Sequence, residues 1–149
     1  MKIFLATGHG GFEYKKKLLN LLNQQGYEVI DCGNTLFDPK DDYPDFVNKL
    51  AKLMATEPNS YGVVMCRNGI GACIATNRHI HLRCGLCFNK THVKSARQDD
   101  NINVLAIPAD YLKIEQVVQI VNTFLDTPFS NHERHNRRLA KINQLTSKV

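Results

Sequence analysis

The chain has 149 residues, of which 43% are hydrophobic and 22% charged, and a formal net charge of +5. That is enough for one domain, over residues 1–149, that buries a core without disulfide or metal staples. No apolar run approaches the ~20 residues that span a bilayer, and the apolar start Met1–Ala6 lacks the length and cleavage context of a signal peptide, so a cytoplasmic protein is expected.

The first strand is expected over Lys2–Thr7 and runs into the turn Gly8-His9-Gly10-Gly11. A helix follows over Phe12–Gln25, with Leu18, Leu19, Leu21 and Leu22 as its apolar face and Gly26 as its stop. Glu28–Cys32 reads as the second strand and Gly33–Tyr43 as a polar loop. Pro44 then opens a helix in which Phe46, Val47, Leu50, Leu53 and Met54 recur at three- and four-residue spacing. Val63, Val64 and Met65 form the short apolar run of a buried parallel strand ending at Cys66. Beyond the turn that follows, a short helix is expected over Ile70–Arg78, a strand over Arg83–Phe88 and a helix over Lys90–Gln98. A fifth strand over Asn103–Pro108, an amphipathic helix over Lys113–Leu125 and a charged helix over Glu133–Leu145 complete the chain. The last helix carries too many charges for a core and is expected to pack on a partner subunit.

Strands that alternate with helices predict one doubly wound parallel sheet, Rossmann-like, with helices on both faces. Such sheets bind ligands at the carboxyl ends of their strands. Those ends here include Gly8-His9-Gly10-Gly11, the Gly33 loop, Cys66-Arg67-Asn68-Gly69 and Phe88-Asn89, which collects His9, Cys66 and Asn68 at one edge.

The stretch Cys66-Arg67-Asn68-Gly69-Ile70-Gly71 places a thiol beside a two-glycine turn at a helix start. Amides there can converge on negative charge, which suits chemistry that builds up an oxyanion. Taken alone, the motif reads more readily as a small buried apolar Cys66 with glycines that simply turn the chain. The other cysteines narrow little. Five at irregular spacing argue against a disulfide framework and for a reducing compartment. Cys84-Gly-Leu-Cys87 has metal-ligand spacing, but residues three apart on a strand face opposite sides, so a zinc or redox pair is not expected. The modest positive charge suits an anionic small substrate, and no basic run with interleaved aromatics points to nucleic acid.

Several landmarks in a fixed order carry a resemblance. They are Gly8-His9-Gly10-Gly11-Phe12, Gly26-Tyr27-Glu28-Val29-Ile30-Asp31-Cys32-Gly33, Tyr43-Pro44-Asp45-Phe46, and Cys66-x-x-Gly69-Ile70-Gly71 with Ala75-Thr76-Asn77-Arg78. Arg97-Gln98 ahead of Asn103-Val104-Leu105-Ala106, and Arg134-His135-x-x-Arg138, close the set. On these the chain resembles, nearly end to end, the ribose-5-phosphate isomerase B family, which also contains the galactose-6-phosphate isomerase subunits. The resemblance implies a dimer, possibly a tetramer, with active sites at the subunit interface and no metal or organic cofactor. It implies an aldose–ketose isomerase that moves a proton between C1 and C2 of a phosphorylated sugar through an enediolate. Cys66 would be the base, the Gly69–Gly71 amides would hold the enediolate oxygen, and His9, Arg134 and Arg138 would bind the phosphate. On residue type alone, His9 could be a surface histidine and the two arginines a solvated helix face.

The chain also departs from that pattern. Gly8 stands where the family has an aspartate that contacts sugar hydroxyls, and Arg67 and Asn68 replace a Gly-Thr pair. Asp99 replaces the histidine thought to open the furanose ring, and Asp100 a neighbouring asparagine. An ionised aspartate can accept the proton of ring opening but is a poor acid at neutral pH. Arg67 is expected either to pair with Asp99 or Asp100 of a partner subunit or to point to solvent. The resemblance implies first the isomerisation of ribose 5-phosphate to ribulose 5-phosphate, with weak ribose activity suggested by the changes. The alternatives are a hexose-6-phosphate isomerase of the galactose-6-phosphate type or a sugar-phosphate-binding protein that has lost catalysis.

Overall fold

The computed structural model describes residues 1–145; of the expected 1–149 domain, residues 146–149 lie outside the described residues. The sheet contains β1 (Lys2–Thr7), β2 (Glu28–Asp31), β3 (Tyr61–Cys66), β4 (Cys84–Leu86) and β5 (Val104–Pro108). All pairings are parallel and the order is β2-β1-β3-β5-β4. The helices are α1 (Phe12–Gln24), α2 (Tyr43–Ala55), α3 (Ile70–Thr76), α4 (Lys90–Asp100), α5 (Ile114–Asp126) and α6 (Glu133–Leu145). Single 3₁₀ turns at His9–Gly11 and Ala109–Tyr111 were not anticipated from the sequence.

Side-chain alternation along the strands divides the core in two. Ile3, Leu5, Val63, Met65, Leu105 and Ile107 face α1, α4 and α5 through Leu18, Leu22, Val93, Val117, Ile120 and Phe124. Phe4, Ala6, Val64, Cys66, Val104 and Ala106 face α2 and α3 through Val47, Leu50, Met54 and Ala72. Both faces of the central strands are therefore covered, which is why their sequences read as continuous apolar runs. Cys84 packs with the second cluster and Cys87 belongs to the first, so the two thiols lie on opposite faces of the sheet.

The boundaries shift for local reasons. β4 is shorter than the apolar run because Asn89 caps α4, its Oδ1 accepting the His92 N–H at 2.8 Å and drawing Phe88 out of the sheet. α4 runs on to Asp100 and stops at Asn101, whose φ of 47° is left-handed. Arg97, 3% exposed, staples that end by donating to the carbonyls of Thr127 and Ile102 and to the Tyr61 hydroxyl. That landmark holds the fold and does not reach a cavity. α6 buries only His135, and Ile142 and Leu145 on it are at least half exposed, as expected for a helix without a core of its own.

The order places β1 beside β3 while the chain leaves them in opposite directions, β1 to β2 by way of α1 and β3 to β4 by way of α3. This is a topological switch point, where the loops after two adjacent strands part and leave a crevice.

Candidate active site

A cavity of about 340 Å³ opens at that crevice. Gly8, His9 and Gly10 line it from the end of β1, and Cys66, Arg67 and Asn68 from the end of β3. Ile70, Gly71 and Ile74 contribute from α3, and Asp41 and Tyr43 from the loop and helix after β2. His9, Cys66 and Asn68 are thus brought together as the sequence predicts. Phe88 and Asn89, also at a strand end, do not reach the cavity.

Cys66 is 9% exposed, and its Sγ lies 3.7 Å from Asn68 Oδ1, to which the thiol donates. The same Asn68 oxygen accepts the Ile70 N–H at 3.0 Å. One amide of the glycine turn is therefore already satisfied by a side chain; Gly71 lines the cavity beside it, whereas Gly69 is buried and does not. Gly69 itself is fixed by its backbone. Its φ of 73° is left-handed, and a Cβ there would come within 2.9 Å of Pro108 N and 3.0 Å of Ile107 C. Gly71 is equally constrained, because a Cβ would run into the Tyr43 hydroxyl.

Three other thiols are shifted by their surroundings. Burial pushes the Cys32 thiol up to about 11 and the Cys87 thiol up to about 12. Cys73 is drawn down to about 7, chiefly by its hydrogen bond with Cys84, and burial opposes that shift. None of these three thiols lines the cavity.

Within its own chain Arg67 turns toward Asp110. Its Nη1 lies 3.7 Å from Asp110 Oδ2 of the same chain, and its side chain stays 71% exposed over the cavity rim. The Asp110 N–H also donates to the Arg67 carbonyl at 2.9 Å, so the β3 and β5 loops are tied together here. Gly10 leaves room for this arginine: a Cβ on it would sit 2.6 Å from Arg67 Cγ.

The fold has known counterparts. Residues 3–142 match the family model described as Ribose/Galactose Isomerase. The chain belongs to the ribose/galactose isomerase family. It is 38% identical, over 94% of its length and 91% of the relative's, to a probable ribose-5-phosphate isomerase B of Mycoplasma pneumoniae. A ribose-5-phosphate isomerase B of Mycobacterium leprae is 32% identical over 93% of this chain and 86% of its own. Among solved structures, the ribose-5-phosphate isomerase B of Mycoplasma genitalium with bound ribulose-5-phosphate superposes with a TM-score of 0.94 at 32% identity, over 99% of this chain and 97% of that one. The Clostridium thermocellum enzyme gives the same TM-score and identity over 99% of both chains.

Within this family member, Asp99, Asp100, Arg134 and Arg138 stand apart from the cavity of their own chain. Asp99, at the end of α4, lies with Oδ1 3.7 Å from His135 Nε2, and its side chain is 52% exposed. Asp100 lines a separate groove beneath α6 with Arg83, Leu139 and Ile142. Arg134 Nε donates to His135 Nε2 at 3.0 Å, and Arg138 is exposed on α6. Asp41, Tyr43 and Ile74 line the cavity without having been expected in the site, although Tyr43 stands in one of the landmarks. The available signal was an acidic pair, Asp41-Asp42, on a loop leaving a strand end in a chain whose first strand end lacks a carboxylate.

Proposed function

We infer that the chain interconverts ribose 5-phosphate and ribulose 5-phosphate by proton transfer between C1 and C2. The observation that carries this reading is Cys66, a thiol opening on to the cavity between His9 and the Gly69–Gly71 turn. Close similarity to ribose-5-phosphate isomerases over nearly the whole chain supports it. In this reading the Cys66 thiolate takes the proton from C2 and returns it to C1. The negative charge that collects on the substrate oxygen would meet the amides of the Gly69–Gly71 turn, of which Gly71 lines the cavity. Asn68 holds the sulfur against the turn, while Arg67 bounds the sugar end of the cavity.

The working unit in this reading is a homodimer whose sites lie at the interface. The cavity is open on the side of Ile70 and Ile74, which are 50% and 55% exposed, and α6 offers Ile142 and Leu145 to a partner. Asp99 and Asp100 would then act on the sugar, with Asp99 as the base for ring opening, and Arg134 and Arg138 would bind the phosphate with His9. Each arginine should contribute charge-assisted hydrogen bonds worth about 1.5–3 kcal/mol. Arg138→Ala or Arg134→Ala should therefore raise KM roughly tenfold or more. Mixing inactive Cys66→Ala subunits with Arg138→Ala subunits should restore one working site per mixed dimer. Unchanged KM in both alanine variants, or no recovery on mixing at any subunit ratio, would remove the arginines from the site.

The deciding assay is turnover of ribose 5-phosphate beside galactose 6-phosphate, with deuterium uptake from heavy water at the exchanged carbon. Turnover and exchange with the pentose phosphate are expected. Preference for the hexose phosphate would overturn the ribose assignment, and exchange with neither would overturn the isomerase. No helix among the described residues is long and apolar enough to cross a membrane. The five free cysteines support a reducing, cytoplasmic setting.

A further inference from the structure

Asp41 is the most enclosed charged group on the cavity wall, with its side chain 4% exposed. Its Oδ1 accepts the His9 backbone N–H at 2.8 Å and faces His9 Nδ1 at 2.9 Å, and its Oδ2 accepts from Asn34 Nδ2 at 3.2 Å. A carboxylate can only accept here, so the proton of the imidazole is on Nδ1. Nε2 is left as the ring nitrogen available to the cavity, and among the described residues it has no partner. The His9 ring is thereby held at both its backbone and its side chain by one acid from a loop 32 positions away.

Gly8 completes the picture. Its φ of −80° and ψ of −172° are open to any residue, so the backbone does not call for glycine. Space does: a Cβ on residue 8 would lie 2.9 Å from Asp41 Oδ1 and 3.2 Å from Tyr43 Cβ. The Asp41 carboxylate fills the volume that a side chain on residue 8 would enter.

We propose that Asp41 is a positioning residue of this site, occupying the place of a residue-8 side chain and holding His9 in the tautomer that presents Nε2 to the substrate. The proposal rests on the isomerase reading for its consequence in catalysis, but not for its geometry. With Nδ1–H committed to Asp41, Nε2 accepts from a sugar hydroxyl when the ring is neutral and donates to phosphate when it is charged. Without Asp41 the ring is free to turn and to place its proton on either nitrogen.

The first test reads the ring directly. In ¹⁵N-labelled protein, long-range proton–nitrogen correlation with the imidazole neutral should give the Nδ1–H pattern for His9, assigned by the loss of its signals in His9→Gln and so told apart from His135, whose Nε2 accepts from Arg134. Asp41→Ala should move that signal toward the Nε2–H form that free histidine favours, and Asp41→Asn, which keeps an acceptor, should move it less. If His9 keeps the Nδ1–H form in Asp41→Ala, or in Asp41→Val, which also lacks an acceptor, should the alanine variant not fold, the proposal is wrong. The second test is a swap. Asp41→Ala should lower kcat/KM roughly tenfold to a hundredfold, the scale of losing an orienting partner. Gly8→Asp alone should also be impaired, by crowding and by two adjacent carboxylates. Together the two changes should recover most of the loss, because the new carboxylate enters the vacated volume. Losses that simply add would overturn the shared-place argument. An inactive parent would defeat the isomerase reading and leave the tautomer measurement standing.

Discussion

Cys66→Ala should lower isomerisation at least about a hundredfold, the contribution of a well-placed general base, and should abolish proton exchange with solvent by the same factor. The substitution removes only Sγ from a residue that is 9% exposed, so the surrounding β3 backbone and the glycine turn have little reason to move. Phosphate and sugar-phosphate affinity should stay within a few-fold, since no phosphate contact is lost. Cys66→Ser makes the comparison sharper. A hydroxyl can still donate to Asn68 Oδ1, but it ionises far less readily than a thiol and should not restore the base. Turnover in Cys66→Ala equal to the parent's would exclude the thiol from the chemistry, whatever else binds in the cavity.

The largest stability effect is expected well away from Cys66, at an ion pair whose cation is buried and whose carboxylate is 26% exposed. Lys15 on α1 is 1% exposed, and its Nζ donates to both carboxylate oxygens of Asp31, at 2.8 and 2.7 Å, and to the Asn34 carbonyl at 2.5 Å. Asp31→Ala leaves an ammonium in the core with one carbonyl, a change that costs about 3–5 kcal/mol. For a domain of this size that is a fall in Tm of about 10 °C or more. The same carboxylate accepts the Gly33 N–H at 2.8 Å, so the start of the 33–43 loop should loosen with it. Asn34 also reaches Asp41 at 3.2 Å, which extends the effect to the cavity wall. Replacing both partners, as in Lys15→Met with Asp31→Leu, should recover much of the stability, because no unpaired charge then remains. Thermal or urea unfolding of the single variant within 1 kcal/mol of the parent would refute the pairing.

The two cases differ in how far the sequence exposed them. Cys66 stands at the end of an apolar run and before two glycines, and both signals are local. The Lys15–Asp31 pair is invisible locally: Lys15 sits in a Lys-Lys-Lys run that reads as a solvated helix face, and only the packing of α1 on β2 buries it.

Strands, helices and their order were legible because each rests on short-range rules. Apolar runs mark buried parallel strands, three- and four-residue spacing marks helices, and Gly26 and Pro44 punctuate them. The limits of β4 and α4 were less so, since they depend on the Asn89 cap and the left-handed Asn101, where a side chain and a backbone conformation override the apolar pattern. Family membership was equally legible, because the landmarks that carry it are short local motifs in a fixed order along the chain.

The sequence by itself determined an α/β fold with a thiol beside a glycine turn at a strand end, because those features follow from periodicity and from backbone freedom along the chain. Tertiary structure alone decided which side chains meet. The order β2-β1-β3-β5-β4 opens a crevice between β1 and β3 and turns the loop after β2 over it. Contacts across that crevice join residues far apart in sequence, Asp41 with His9 and Arg67 with Asp110. No local rule encodes such pairs, because their partners are fixed by strand order and by the space left between packed layers.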